Sequence, residues 1–199
     1  ASASMQLREL SPRLSACRSP SGNSVGVFSV DKALRKEIDN AILAYMATSS
    51  ESMAEALPFA DRPVEKAPGH WVLARAGKTV LRPGGLALST WALKRAVLAG
   101  SDVVEFAPGL GVTASAIIGV GPASYVGVER DPNASARVDA IASGVGRCVN
   151  ADAAQTGLPD ESADVVVGEA MLSMQGEKAK RAIMSEAARI LRPGGRYVI

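Results

Sequence analysis

The chain has 199 residues, 47% hydrophobic and 21% charged, enough apolar material for one packed domain or somewhat more. Its formal net charge of +2 conceals an asymmetry: residues 1–100 carry 13 basic against 8 acidic side chains, and residues 101–199 carry 9 against 12. Two cysteines, Cys17 and Cys148, give neither a disulfide framework nor metal-ligand spacing, and no run of 18 uncharged apolar residues could span a membrane, so a soluble, cytoplasmic chain is expected.

Residues 1–25 are rich in Ser, Pro, Gly and Arg without hydrophobic period and are expected to form a flexible tail. Residues 26–100 read as a helical layer. Leu34, Ile38, Ile42 and Met46 recur at i, i+4 and predict a helix from Asp31, with Ser29 or Asp31 as its cap. A second short helix is expected from Ser50 to Leu57, ended by Pro58. The linker 58–69 holds three prolines and should be extended. His70 to Gly77 reads as a helix stopped by its glycine, and another helix should run from about Ser89 to Gly100. Between Glu65 and Asp102 there is no acid, while Lys66, Arg75, Lys78, Arg82, Lys94 and Arg95 all occur. They form either a solvated basic face or a surface for an anionic substrate or partner.

Residues 101–199 alternate between strand and helix: strand 102–106, helix from about 112, strand 124–129, helix about 133–143, strand 147–150, strand 164–168, helix about 177–191 and strand 196–199. Such alternation predicts an α/β fold with parallel strands, right-handed crossovers and helices on both faces. Leu-Arg-Pro-Gly-Gly occurs at 81–85 and at 191–195. The second copy follows a helical period and should stop that helix and feed a strand, whereas the first should turn the chain towards the helix near Ser89.

The chain is organised around Asp102-Val-Val-Glu-Phe-Ala-Pro-Gly-Leu-Gly-Val-Thr-Ala114. A strand feeding a helix through a glycine turn gathers backbone N–H groups at a positive helix terminus, a cradle for a nucleotide-like ligand. Glu129 ends the next apolar run, about 20 residues on, where an acid can accept hydrogen bonds from ribose hydroxyls.

Glu105-Phe-Ala-Pro-Gly-Leu-Gly111 resembles the first motif of class I S-adenosylmethionine (SAM) dependent methyltransferases, with Ala107 in place of the first glycine and Gly109 and Gly111 at the other two. Glu129, Asn150-Ala-Asp152-Ala153, Leu158 to Val167 and Ile190-Leu-Arg-Pro-Gly-Gly195 follow in the family's order. The resemblance implies a Rossmann-like, doubly wound sheet of order 3-2-1-4-5 over 101–199, with the ligand at the carboxyl ends of the strands and residues 26–100 as a helical cap. The family sheet adds two more strands, so the native chain is expected to continue past Ile199. It also implies that Glu105 helps hold the methionine part of SAM and that Gly109 and Gly111 let the backbone approach. Glu129 takes the ribose hydroxyls with Arg130 beside it, Asp152 and the Ala153 N–H meet the adenine, and Glu169 faces the departing methyl. Glu169 has a second reading as a loop carboxylate that caps the following helix.

The implied reaction is methyl transfer from SAM by in-line displacement, needing no metal, with acceleration from placing acceptor and methyl in contact. A base matters only for a protonated acceptor, and Glu169, His70 and Tyr45 are the candidates. The segment after the fourth strand is Gly-Glu-Ala-Met rather than the Asn/Asp-Pro-Pro-Tyr of adenine or glutamine methylation. There is also no Pro-Cys pair for cytosine C5 methylation. A small-molecule acceptor is therefore expected, with no nucleic acid, as in the broad group that includes quinone- and lipid-pathway methyltransferases. Two alternatives stay open. Gly109-Leu-Gly-Val-Thr-Ala114 also fits the dinucleotide fingerprint of an NAD(P)-dependent oxidoreductase, although Glu105 and Pro108 interrupt the strand it requires. A SAM-binding regulatory protein without turnover is the other.

Overall fold

The computed structural model describes residues 63–66, 69–78 and 84–199. The expected tail, the helices expected from Asp31 and from Ser50, and Tyr45 lie outside the described residues. Five strands, β1 (Asp102–Phe106), β2 (Ser124–Glu129), β3 (Gly146–Asn150), β4 (Ala163–Val167) and β5 (Leu191–Val198), form one parallel sheet of order β3-β2-β1-β4-β5. The helices are α1 (Gly69–Arg75), α2 (Gly85–Arg95), α3 (Val112–Gly119), α4 (Pro132–Ala142) and α5 (Glu177–Ile190). This is the doubly wound order expected, with its switch point between β1 and β4.

β1 is central, paired on its edges with β2 and β4, and helices cover both of its faces, so Val103, Val104 and Phe106 are all buried. Val103 joins a core with Trp71 and Ala74 of α1, Leu93 of α2, Ile117 of α3 and Val138 of α4. Val104 and Phe106 join the opposite core, with Ile183, Ala187 and Ile190 of α5. Each fully buried side chain of this size contributes roughly 1.5–3 kcal/mol. Residues Val112 to Ile117 of α3 are buried on all sides, and their small side chains let the helix lie close on the sheet.

Local chemistry sets the helix ends. Asp131 accepts from the N–H groups of Asn133 and Ala134, and Pro132 fills the first position of α4. After α1, Lys78 N–H donates to Leu73 O at 3.1 Å and Gly77 N–H to Ala74 O at 2.9 Å, with Gly77 left-handed, which is the glycine stop expected. Boundaries differ from the sequence reading at four places, one of them the end of α2, at Arg95 rather than Gly100. The linker expected to be extended contains a 3-10 turn, Val64–Lys66. α2 begins at Gly85 rather than near Ser89, because left-handed Gly84 starts the helix; the Ser89 hydroxyl bonds back to the Gly85 carbonyl within it. β5 begins at Leu191, immediately after α5, since Leu191 already pairs with Ala163 across a register shift.

The amino ends of the strands carry paired charges. Arg192, from the Leu-Arg-Pro-Gly-Gly segment, reaches Asp102 at 2.9 Å, Asp164 at 2.8 Å and the Ser162 carbonyl at 3.1 Å. Asp164 also accepts from the Asp102 N–H, and Asp102 from the Ser124 hydroxyl. Beside them, Glu186 of α5 accepts from both the N–H and the hydroxyl of Thr156, and Arg189 pairs with Glu186 and Asp160. These contacts fasten the Leu158-Pro-Asp-Glu loop to α5.

Candidate functional site

The residues expected to hold the cofactor lie at the carboxyl ends of β1, β2, β3 and β4. The turn after β1 is held by backbone conformation: Ala107 has φ 52°, Gly109 56° and Gly111 79°. Ala107 therefore adopts the left-handed form that its missing glycine would have adopted freely, at a strain of about 1–2 kcal/mol. At Gly109 a β-carbon would touch the Trp71 ring only at 3.7 Å, so its positive φ is the stricter demand. Gly111, left-handed at φ 79°, also leaves room for Ile141 of α4, whose Cδ1 would lie 2.4 Å from an added β-carbon. Its absent side chain admits a neighbouring helix.

Glu129, buried at the end of β2, joins the turn to the sheet: its Oε2 accepts from the Gly109 N–H at 3.0 Å and its Oε1 from the Asp131 N–H at 3.0 Å. Asn150 at the end of β3 clasps the same corner, its Nδ2 donating to the carbonyls of Glu129 and Arg130 at 2.9 Å each. The Arg130 side chain is exposed. Asp152, also exposed, accepts from the Ala154 N–H at 2.8 Å, while Ala153 is packed into the core beneath it.

Glu105 is buried and accepts from the Tyr125 hydroxyl at 2.7 Å. Glu169, half-buried after β4, accepts from the Thr113 hydroxyl of α3 at 2.8 Å, so it bridges to the helix after the glycine turn. The next residue, Ala170, has φ 57°, a second left-handed alanine at this end of the sheet. Cys148 packs partly in the core, with its thiol pushed up to about 11, mainly by burial. That is the chemistry of an inert core residue.

Of the base candidates, Glu169 lies at this end of the sheet. His70 belongs to α1 by its backbone, and Tyr45 is outside the described residues. The sequence reading missed three partners: Tyr125, Thr113 and Asn150. The first could have been found from the strand pairing, which sets Tyr125 one residue pair behind Glu105 on the same face. Asn150 stands opposite Glu129 in the β2–β3 register and could be found the same way, whereas Thr113 meets Glu169 only through the loop after β4. Trp71, buried against the glycine turn, is a contact across nearly forty residues that no local pattern announces. A small cavity of about 140 Å³ at the opposite end of the sheet, lined by Asp102, Ser124, Leu158 and Ser162 among others, touches none of these groups. Among the described residues no cluster of His, Cys, Asp and Glu could hold a metal ion, and no helix is long and apolar enough to cross a membrane.

Residues 104–199 match the family described as Methyltransferase domain. An uncharacterized protein of Haemophilus influenzae is 36% identical over 133 residues, covering 64% of this chain and 53% of that protein. The chain thus spans about half the length of the curated relative it matches. Among solved structures, a provisionally named SAM-dependent methyltransferase of Methanococcus maripaludis aligns with a TM-score of 0.51 at 14% identity, over 88% of this chain and 66% of that one. A provisionally named methyltransferase of Bacillus halodurans aligns with a TM-score of 0.50 at 22% identity, over 56% and 49%. At these identities the structures attest the fold.

Proposed function

We propose, from the match of residues 104–199 to the family described as Methyltransferase domain, that this chain is a class I SAM-dependent methyltransferase that moves a methyl group from SAM to a small-molecule acceptor by in-line displacement. The observation that carries the reading is Glu129. A carboxylate offers about four acceptor positions, two on each oxygen. The N–H groups of Gly109 and Asp131 take one on each, which leaves one on each for a vicinal diol such as the ribose 2′- and 3′-hydroxyls. The backbone that fixes this carboxylate is the glycine turn itself, so diol acceptor and nucleotide cradle form a single unit.

SAM, when bound, supplies a methyl group on a cationic sulfur. The chain's own residues bind and orient. Glu105 would face the methionine part and Asp152 with the Ala153 N–H the adenine, with Arg130 at the rim. Glu169, tied by Thr113, would face the acceptor side, where its carboxylate can accept a proton or hydrogen bond from an acceptor hydroxyl or amine. His70 and Tyr45 stay as alternative bases within a helical cap, residues 26–100, that closes over the cleft and presents its basic stretch to an anionic part of the acceptor. We place the protein in the cytoplasm.

Titration calorimetry with SAM, S-adenosylhomocysteine and NADH tests the cofactor. Micromolar binding of the first two without NADH binding is expected, and NADH binding without SAM binding would overturn the reading. Product formation across a panel of acceptors then separates an enzyme from a SAM-binding regulator.

A further inference from the structure

We infer that Tyr125 is a positioning residue of the cofactor site, whose buried hydroxyl holds the Glu105 carboxylate towards the methionine part of SAM. This rests on the cofactor reading above. In the β1–β2 ladder Val103 pairs with Tyr125 and Glu105 with Gly127, so Tyr125 and Glu105 share one face of the sheet. The tyrosine ring has to run forward along its strand to reach Glu105, and Gly127 lies on that path. A β-carbon at Gly127 would stand 3.2 Å from the Tyr125 hydroxyl, 3.1 Å from Val138 Cγ1 and 2.9 Å from Cys148 Sγ. The missing side chain is what opens the slot.

Packing alone does not call for this arrangement. Tyr125 is 0% exposed, and an aliphatic side chain would fill a core position without bringing a polar atom into it. The hydroxyl is placed at 2.7 Å from a carboxylate that is itself only 4% exposed, at the last turn of chain before the glycine segment. Burial first, and then the charge of Glu105, hold the phenol well above its ordinary pKa, so it stays a donor through the working range. The phenol orients the carboxylate through a charge-assisted hydrogen bond.

The test compares two ligands on the intact chain: S-adenosylhomocysteine, and 5′-methylthioadenosine, which lacks the amino-acid part. Tyr125→Phe should weaken the first about tenfold by calorimetry, the size of one charge-assisted hydrogen bond, and leave the second unchanged. Glu105→Gln should also weaken only the first, and the double variant should bind no worse than Glu105→Gln alone. Equal weakening of both ligands by Tyr125→Phe would reduce the residue to a general structural role and overturn the proposal. So would additivity in the double variant. If Glu105→Gln leaves binding unchanged in a parent that binds both ligands, the placement of Glu105 fails and the proposal with it; a parent that binds neither ligand refutes the cofactor reading first. Should Tyr125→Phe not fold, fluorotyrosine in the parent gives the second measurement. The chain has 3 tyrosines, assignable by Tyr45→Phe and Tyr197→Phe, and the Tyr125 resonance should move with S-adenosylhomocysteine and not with 5′-methylthioadenosine. Movement with both, or with neither, counts against it.

Discussion

At the amino ends of the strands, Asp102 and Asp164 share the guanidinium of Arg192, and Glu186 and Asp160 share that of Arg189. At the carboxyl ends, Glu105, Glu129 and Glu169 accept from a phenol, two backbone N–H groups and a threonine hydroxyl. One sheet thus holds carboxylates in two ways. Guanidinium groups fasten carboxylates in pairs at one end, and hydrogen bonds from a phenol, a hydroxyl and backbone N–H groups aim them at the other. The carboxyl end has left-handed alanines at Ala107 and Ala170, as the approaches to the amino end have left-handed Val97 and Glu161, and it is where the cofactor reading needs negative charge near a sulfonium and an ammonium.

The largest effect should come from Glu129→Ala. Hydrogen bonds to a charged acceptor are worth roughly 1.5–3 kcal/mol, so SAM affinity should fall about 10- to 100-fold by calorimetry. Since Glu129 also anchors Gly109 and Asp131, the turn loses its tether, and Glu129→Gln should recover part of the loss by keeping one carbonyl acceptor. Unchanged affinity in folded Glu129→Ala would remove this carboxylate from the ribose and break the contrast at its strongest point.

This much of the site was legible because strand ends are local. Val103 and Val104 followed by an acid and a glycine turn, then an acid ending the next apolar run, fix where Glu105 and Glu129 must lie once the strands are parallel. β1, β2, β4 and α5 were found within a residue of their ends for the same reason: buried parallel strands read as short apolar runs, and α5 has a clean helical period. What failed was set by backbone or distance. Gly84 starts α2 by taking a left-handed conformation, while the sequence advertised Ser89 as its start. Tyr125 lies in the core, yet its hydroxyl answers to Glu105 on another strand.

The amino end should reveal itself in acid. The guanidinium of Arg189, aided by the Thr156 hydroxyl and N–H, holds Glu186 down to about 2 from an ordinary value of 4.5. A carboxylate depressed on folding adds stability above its unfolded value, and that stability is lost as pH falls through the folded one. The window is therefore about pH 5 to 2. After allowance for solvent screening the loss should be about 1 kcal/mol. Melting curves of the parent should steepen across that window, and those of Glu186→Gln should be flatter there. Parallel curves would show that the pair adds nothing.

A smaller change is expected at Glu169. Its carboxylate, several ångströms from a cationic sulfur in an open cleft, would favour SAM over the uncharged sulfur of S-adenosylhomocysteine by roughly 0.7 kcal/mol even at a water-like effective dielectric. Glu169→Gln should lower the SAM to S-adenosylhomocysteine affinity ratio about threefold, and Thr113→Val, which removes its hydroxyl donor, should lower it less. An unchanged ratio in both would return Glu169 to a loop carboxylate.

The smallest effect is expected from Arg192→Met, and it tests whether the two ends are separate. The substitution keeps an apolar stem against the sheet and removes the charge shared by Asp102 and Asp164, which then lie side by side without their common cation. All three side chains are about a third or more exposed, at 38%, 32% and 42%, so solvent and salt screen most of the repulsion. The melting temperature should drop by a few degrees at low salt and by less as salt is added. SAM affinity should not move, because Arg192 sits at the opposite end of β5 from the cofactor residues and β1 stays fastened between β2 and β4. A fall in SAM affinity alongside the melting temperature would mean that strand alignment set at the amino end is transmitted through β1 to Glu105, and the sheet would have to be treated as one coupled unit.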